Sequence, residues 1–256
     1  MRILAVDAGN SRIKWGLREH QQWLMLGVAN HTEIDSLAEN WKTLPAPHKI
    51  IVSNVAGEKS HAHLKKLFSI WPAHCEWVRA KPTECGVSNG YADPVQLGAD
   101  RWAALIAAWD LHHTACLVVN AGTAMTVDGL NDKGEFLGGV IIPGLQAMRQ
   151  ALAQSTAAIS LRQVAQDKMS VASAEGFKAF PINSADAAHN GCMQALAGAV
   201  ERMWEQLQRD SADNPYCILS GGDALALQPL LSMPVQVMEH LVLDGLIKIA
   251  QQEETS

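Results

Sequence analysis

Basic residues are the minority in this chain of 256 residues. Its 20 Lys and Arg stand against 26 Asp and Glu, a formal net charge of −6. A general nucleic-acid binder shows the opposite balance, so that class is set aside. No stretch approaches the roughly 18 uncharged apolar residues of a membrane span. The apolar start, Met1–Val6, meets Asp7 too early to be the core of a signal peptide. Cysteine is sparse: Cys75, Cys85, Cys116, Cys192 and Cys217 are widely spaced and odd in number. That pattern fits reduced thiols better than a disulfide framework. Ten histidines are present, but none has the Cys–His spacing of a zinc site. His61 and His63 precede Lys65 and Lys66 on what reads as an exposed helix face. Tyrosine is scarce, two against eight tryptophans, and Trp102 and Trp109 fall on one helix stripe, as packing residues do. What remains is a core-forming composition, 48% hydrophobic and 18% charged. The expectation is a soluble, acidic, cytoplasmic protein with one large or two modest domains.

An internal repeat favours two domains. Leu4–Leu17 (LAVDAGNSRIKWGL) and Leu117–Leu130 (LVVNAGTAMTVDGL), 113 residues apart, share six of fourteen positions. Each reads as an apolar strand, a polar-Ala-Gly turn and a second strand. Asp7 aligns with Asn120, and Asn10 with Thr123. Elsewhere short apolar runs alternate with helical periodicity. Strands are expected at 49–53, 75–78, 135–140, 216–219 and 235–238. Helices are expected at 59–70, 98–113, 145–154, 185–209, 223–231 and 241–251. Residues 82–94 and 161–183 read as loop-rich. Such alternation implies α/β architecture with helices covering sheets. The division is expected between Asp110 and Cys116, giving domains 1–113 and 114–256.

Chemistry concentrates at the turns. Asp7-Ala8-Gly9-Asn10-Ser11-Arg12-Ile13-Lys14 puts an acid at the end of a buried strand. Gly9 permits close backbone approach, and turn amides beside Asn10 and Ser11 suit an anion. Asp7 suits Mg²⁺ held through water, since that ion favours one or two carboxylates plus phosphate oxygens. Lys14 is a phosphate counter-charge. A tight structural hairpin is the competing reading of the same residues. In the second hairpin Gly122 and Thr123 can meet phosphate from the other side. A nucleotide held by both would lie in an interdomain cleft. Ser220-Gly221-Gly222-Asp223 follows a strand and offers close approach to a base or ribose. Asp100, after Gly98-Ala99, reads either as an acid stabilising a helix start or as a base held near a hydroxyl.

These pieces, in this order, resemble the phosphate-1, phosphate-2 and adenosine motifs of the actin, sugar kinase and heat-shock ATPase superfamily. More specifically, the chain resembles the type III pantothenate kinases. The resemblance is carried by DAGNSRIKWGL at 7–17, LGADRW at 97–102 and NAGTAMTVD at 120–128. It continues through GEFLGGVIIPGL at 134–145, INSADA at 182–187 and LSGGDA at 219–224. It implies two ribonuclease H-like (actin-like ATPase) domains and transfer of phosphate from ATP to pantothenate, the entry step to coenzyme A. It also implies Mg²⁺, a monovalent cation such as K⁺ or NH₄⁺, and a homodimer. Asp100 matches the family's catalytic base. Arg101 suits pantothenate's carboxylate, which a guanidinium binds through two hydrogen bonds. Gly98, Ala99 and Tyr91 match substrate-contacting positions. Ser184 matches a threonine that touches substrate from the partner subunit. A kinase of another small hydroxy acid, or a non-catalytic homologue mediating contact or regulation, would keep the same fold.

Asn120 departs from the aspartate that the family uses toward the monovalent cation. Asparagine keeps a carbonyl oxygen but loses a full negative charge. Weak or absent K⁺ dependence is therefore expected. Turnover with and without K⁺ at matched ionic strength should be equal, and strong K⁺ activation would overturn the expectation.

Overall fold

Leu4, Ala5 and Val6 are apolar in succession because their strand is flanked on both sides and covered on both faces. In this computed structural model, which describes residues 1–155 and 177–252, that strand is β1 (Arg2–Ala8). It pairs antiparallel with β2 (Arg12–Glu19), which pairs antiparallel with β3 (Gln22–Asn30). On its other side β1 pairs parallel with β4 (Lys49–Asn54), followed by β5 (His74–Trp77). The five strands run in the order β3-β2-β1-β4-β5. Between them lie α1 (Ile34–Lys42) and α2 (Gly57–Phe68). Both turn apolar stripes onto a core in which Trp41 meets Trp15, Phe68 and Trp71 at centroid separations of 5.8, 5.7 and 5.9 Å.

The same strand order recurs later in the chain. Strands β8 (Cys116–Ala121), β9 (Ala124–Leu130), β10 (Glu135–Pro143), β11 (Tyr216–Ser220) and β12 (Gln236–Val237) run β10-β9-β8-β11-β12. Here too the first three are antiparallel and the last two join in parallel. The repeat seen in the sequence is thus a repeat of topology. The turns differ in length. The first hairpin closes at Ala8↔Ile13 and the second at Ala121↔Met125, so the second loop is a residue shorter. Lys14, paired with Asp7, therefore corresponds to Thr126, paired with Asn120, and not to Val127 as the ungapped alignment has it.

Two compact units result, Met1–Leu111 with His240–Ser256, and His112–Glu239. The first takes back helix α7 (Leu241–Gln252), which the sequence division grouped with the second half. The reason is apolar coverage: α7 buries Leu243, Leu246, Ile247 and Ile249, and it packs on β1, β4 and β2. In the second unit α4 (Leu145–Ser155) packs on α5 (Ser184–Asp210). The latter buries Met193, Leu196, Ala197 and Val200, the i, i+3, i+4, i+7 stripe of a half-buried helix, against β8 and β9. Asn183 caps it by accepting from the Asp186 N–H at 2.9 Å.

Several expectations are revised. The 82–94 loop holds a small hairpin, β6 (Thr83–Glu84) and β7 (Val87–Asn89), turned through Cys85 and Gly86 at φ +50° and +80°. Cysteine is an unusual occupant of that left-handed position, so the turn is hard to read. Helix α6 covers only Ala224–Leu227, because Pro229, with no N–H to donate, diverts the chain into a 3₁₀ turn. Of the loop-rich 161–183 stretch, 161–176 lies outside the described residues. Helix α3 (Ala99–His112) forms as expected and is buried from Arg101 to Ala108.

Two helical glycines test this packing. A Cβ on Gly245 of α7 would sit 1.8 Å from the Ala103 carbonyl oxygen of α3, whereas a Cβ on Gly198 of α5 would meet nothing within 4 Å. Gly245→Ala should lower stability by more than about 2 kcal/mol. Gly198→Ala should raise it by about 0.5–1 kcal/mol. Urea unfolding of the two variants checks both signs.

Candidate active site

Asp7 ends β1 with Lys14 opposite on β2 and Ser53 opposite on β4. Its Oδ1 is sealed from solvent and has no hydrogen-bond partner among the described residues. Desolvation, and then the charge of Asp100, raise its pKa from 3.8 to about 7, against the opposing pull of Lys14 and the Ser53 hydroxyl. Ser53 is fully buried, and its Oγ meets no acceptor in good hydrogen-bond geometry, yet it lies close enough to favour the Asp7 carboxylate. The turn beyond Asp7 closes through the Gly9 N–H donating to the Arg12 carbonyl at 3.1 Å. His31 Nε2 meets the Gly9 carbonyl at 2.7 Å. Asn10, Ser11 and Arg12 face solvent, while Ala8 and Ile13 are buried and anchor the turn to the sheet. Ser53 and His31 had no signal in the sequence, since only register and the path of β3 bring them here.

Asp100 and Arg101 occupy the first turn of α3, which begins where the Trp102 N–H donates to the Gly98 carbonyl at 2.9 Å. Asp100 Oδ1 accepts from the Arg101 N–H at 2.8 Å. Burial raises the Asp100 pKa, while that backbone contact and the Arg101 charge lower it in part. Arg101 is only 6% exposed and donates from Nη1 to the Tyr91 hydroxyl at 3.1 Å, with the guanidinium 5.8 Å from the ring centroid. Gly98 lies against the Asp100 carboxylate, and Ala99 is buried. The first unit thus gathers Asp7, Lys14, Ser53, Asp100, Arg101 and Tyr91. No group of three or more His, Cys, Asp or Glu is gathered for direct ligation of an ion among the described residues. Asp7 as a residue is half-buried, and the accessible part of its carboxylate could hold a divalent cation through water. Burial pushes the Cys75 and Cys85 thiols up to about 11.

Asn120, Gly122 and Thr123 form their own turn in the second unit. The Gly122 N–H donates to the Ala124 carbonyl at 3.2 Å, and the Gly144 N–H to the Thr123 carbonyl at 3.1 Å. A Cβ on Gly144 would lie 2.0 Å from the Gly122 oxygen, and one on Gly221, at φ +104°, would lie 2.2 Å from the Ala121 oxygen. Three separate motifs, NAGT, PGL and SGG, therefore converge on one stretch of backbone. Their glycines are there because the chains touch. Ser184 is the exposed first residue of α5.

The chain matches known proteins along most of its length. Residues 3–206 match the family described as type III pantothenate kinase. A type III pantothenate kinase from Nitrosospira multiformis is 47% identical over 252 residues, 98% of this chain and 91% of the relative. A Campylobacter jejuni structure assigned to the Baf family of transcriptional activators matches at TM-score 0.61 and 23% identity, covering 99% and 100% of the two chains. A Sinorhizobium meliloti structure assigned as a 2-dehydro-3-deoxygalactonokinase matches at TM-score 0.58 and 14% identity, covering 98% and 99%. At such identities the structures speak for the fold alone, two actin-like α/β domains. No helix among the described residues is long and apolar enough to cross a membrane.

A raised carboxylate pKa sets the sign of a pH effect. Asp7 ionises near 3.8 when unfolded and near 7 when folded, so its cost begins above pH 4 and is complete above pH 7. Without divalent metal, Asp7→Asn should raise Tm by several degrees at pH 8, on the order of 2–4 kcal/mol, and by little at pH 4. Thermal unfolding across that range checks it.

Proposed function

The chain belongs to the type III pantothenate kinase family, and we propose that Asp100 is the base in its reaction. The protein is a phosphotransferase that phosphorylates pantothenate with ATP, the first step of coenzyme A synthesis. Two carboxylates brought into electrostatic reach, Asp7 and Asp100, carry the assignment of roles.

Phosphoryl transfer asks little covalent help from a protein; positioning and charge stabilisation do most of the work. Asp100 accepts the proton of the acceptor hydroxyl as that oxygen attacks the γ-phosphorus, and ADP leaves with the bond to its bridging oxygen broken. Desolvation suits Asp100 to this, because a carboxylate of raised pKa takes a proton more readily at neutral pH. Its backbone contact with the Arg101 N–H holds it in place. Arg101, with Tyr91 against its guanidinium, receives the carboxylate of pantothenate. Gly98 and Ala99 form the floor beside them. Asp7 would hold Mg²⁺ through water, and the ion when bound would supply charge neutralisation to the phosphates. Lys14 and the turn 8–13 bind phosphate, and Gly122 and Thr123 are phosphate-binding residues too. Asn120 offers only a neutral oxygen to K⁺ or NH₄⁺. The enzyme acts as a homodimer, with Ser184 reaching the partner subunit's substrate.

Asp100→Asn should lower kcat by about 10²–10⁴-fold with little change in the KM for ATP. Arg101→Leu should raise the KM for pantothenate by on the order of 10–100-fold. Both are read from pantothenate-dependent ADP release, and a fully active Asp100→Asn would remove Asp100 from the role of base.

A further inference from the structure

Glu84 is a buried acid with no part in the chemistry above. Its side chain is 5% exposed, on the short strand β6 of the 82–94 segment that also carries Tyr91. Its two oxygens are used separately. Oε2 accepts from the indole Nε1–H of Trp102 at 2.8 Å, and Oε1 accepts from Lys81 Nζ at 2.5 Å. Trp102 is completely buried and follows Asp100 and Arg101 directly on α3. One carboxylate therefore ties the base of the acceptor segment to the helix turn bearing the proposed base and the proposed carboxylate receptor.

The rest of that segment is fixed to match. Asn89 donates its N–H to the Pro82 carbonyl at 2.8 Å and its side-chain amide to the Pro94 carbonyl at 3.2 Å. It also accepts from the Tyr91 N–H at 3.0 Å. Cys85 is held at its N–H by Gln252 at 2.9 Å, and Gly86 lies against Trp109 of α3. Tyr91 thus meets Arg101 while Glu84 holds the next residue, Trp102. The buried carboxylate is satisfied by Lys81 as well as by the indole, and because an apolar pair of similar volume would pack at no greater cost, stability alone gives no reason for an acid here.

We propose that Glu84 is a positioning residue for the phosphoryl acceptor: through Trp102 it sets the first turn of α3 against the segment carrying Tyr91. This rests on the pantothenate reading of the site. Glu84 touches no reacting atom, so its effect is confined to the acceptor side. Displacement of a reacting group by about 1 Å costs on the order of 10²-fold in rate.

Steady-state ADP release with ATP and pantothenate varied separately tests it, alongside thermal unfolding of each variant. Glu84→Ala should lower kcat/KM for pantothenate by about 10–100-fold and leave the KM for ATP within about twofold. Glu84→Gln, which keeps an acceptor for the indole, should recover most of that loss. Trp102→Phe removes the donor together with part of the buried ring, and should move the same constants in the same direction, even if Glu84→Ala does not fold. A purely structural role predicts a lowered Tm with unchanged kinetic constants in the folded protein. That result, or equal losses toward ATP and pantothenate, would overturn the inference while leaving the kinase reading intact. Absence of pantothenate-dependent release from the unaltered protein would overturn the reading and the inference with it.

Discussion

A carboxylate at the end of a strand, with one oxygen sealed and lacking a partner among the described residues, is the constraint around which the first unit is arranged. An isolated charge in such a place shifts its ionisation or finds a counter-charge. Here both happen. Lys14 and Ser53 stand opposite Asp7 because β1 is flanked by β2 and β4 in one register. A slip of one residue in either pairing would turn those side chains to the other face. The second carboxylate, Asp100, is delivered by a helix that is buried from Arg101 to Ala108 and so has little freedom to move away. The electrostatic tension between the two acids is therefore kept by ordinary packing on every side.

The two sheets share a strand order yet have parted in chemistry. Where the first has Asp7 opposite Lys14, the second has Asn120 opposite Thr126. The charged pair has become a neutral one, and the loop has lost a residue. In exchange the second turn is pressed by Gly144 and Gly221, neither of which has a counterpart contact at Gly9, where an added Cβ would meet its nearest neighbour at 3.4 Å. One turn is organised by charge and the other by backbone contact.

Much of this was legible in the sequence, and the limits are physical. The hairpins, α3 and α5 announce themselves by local periodicity and turn chemistry. Asp7, Lys14, Asp100 and Arg101 stand in motifs whose chemistry can be read off neighbouring residues. Ser53, His31 and Glu84 cannot be read that way, because each matters through a partner distant in the chain. The β6–β7 hairpin hides behind a cysteine at positive φ. Strand β3 has exposed apolar residues at Leu24, Met25, Leu26 and Val28, so no alternation marks its buried face. The ungapped alignment of the repeat misses the shorter second loop, because identity on either side of the turn conceals a deletion within it.

The return of α7 to the first unit has a consequence for how the protein is made. Domains emerging from a ribosome usually fold in the order of synthesis. Here residues 112–239 form a continuous unit, whereas the earlier residues need a helix translated after all of them. Until Leu243, Leu246 and Ile247 arrive, the face of the first sheet that they cover is left wet and apolar. The middle of the chain can thus reach its native form before the beginning does. The half bearing both acids is finished last.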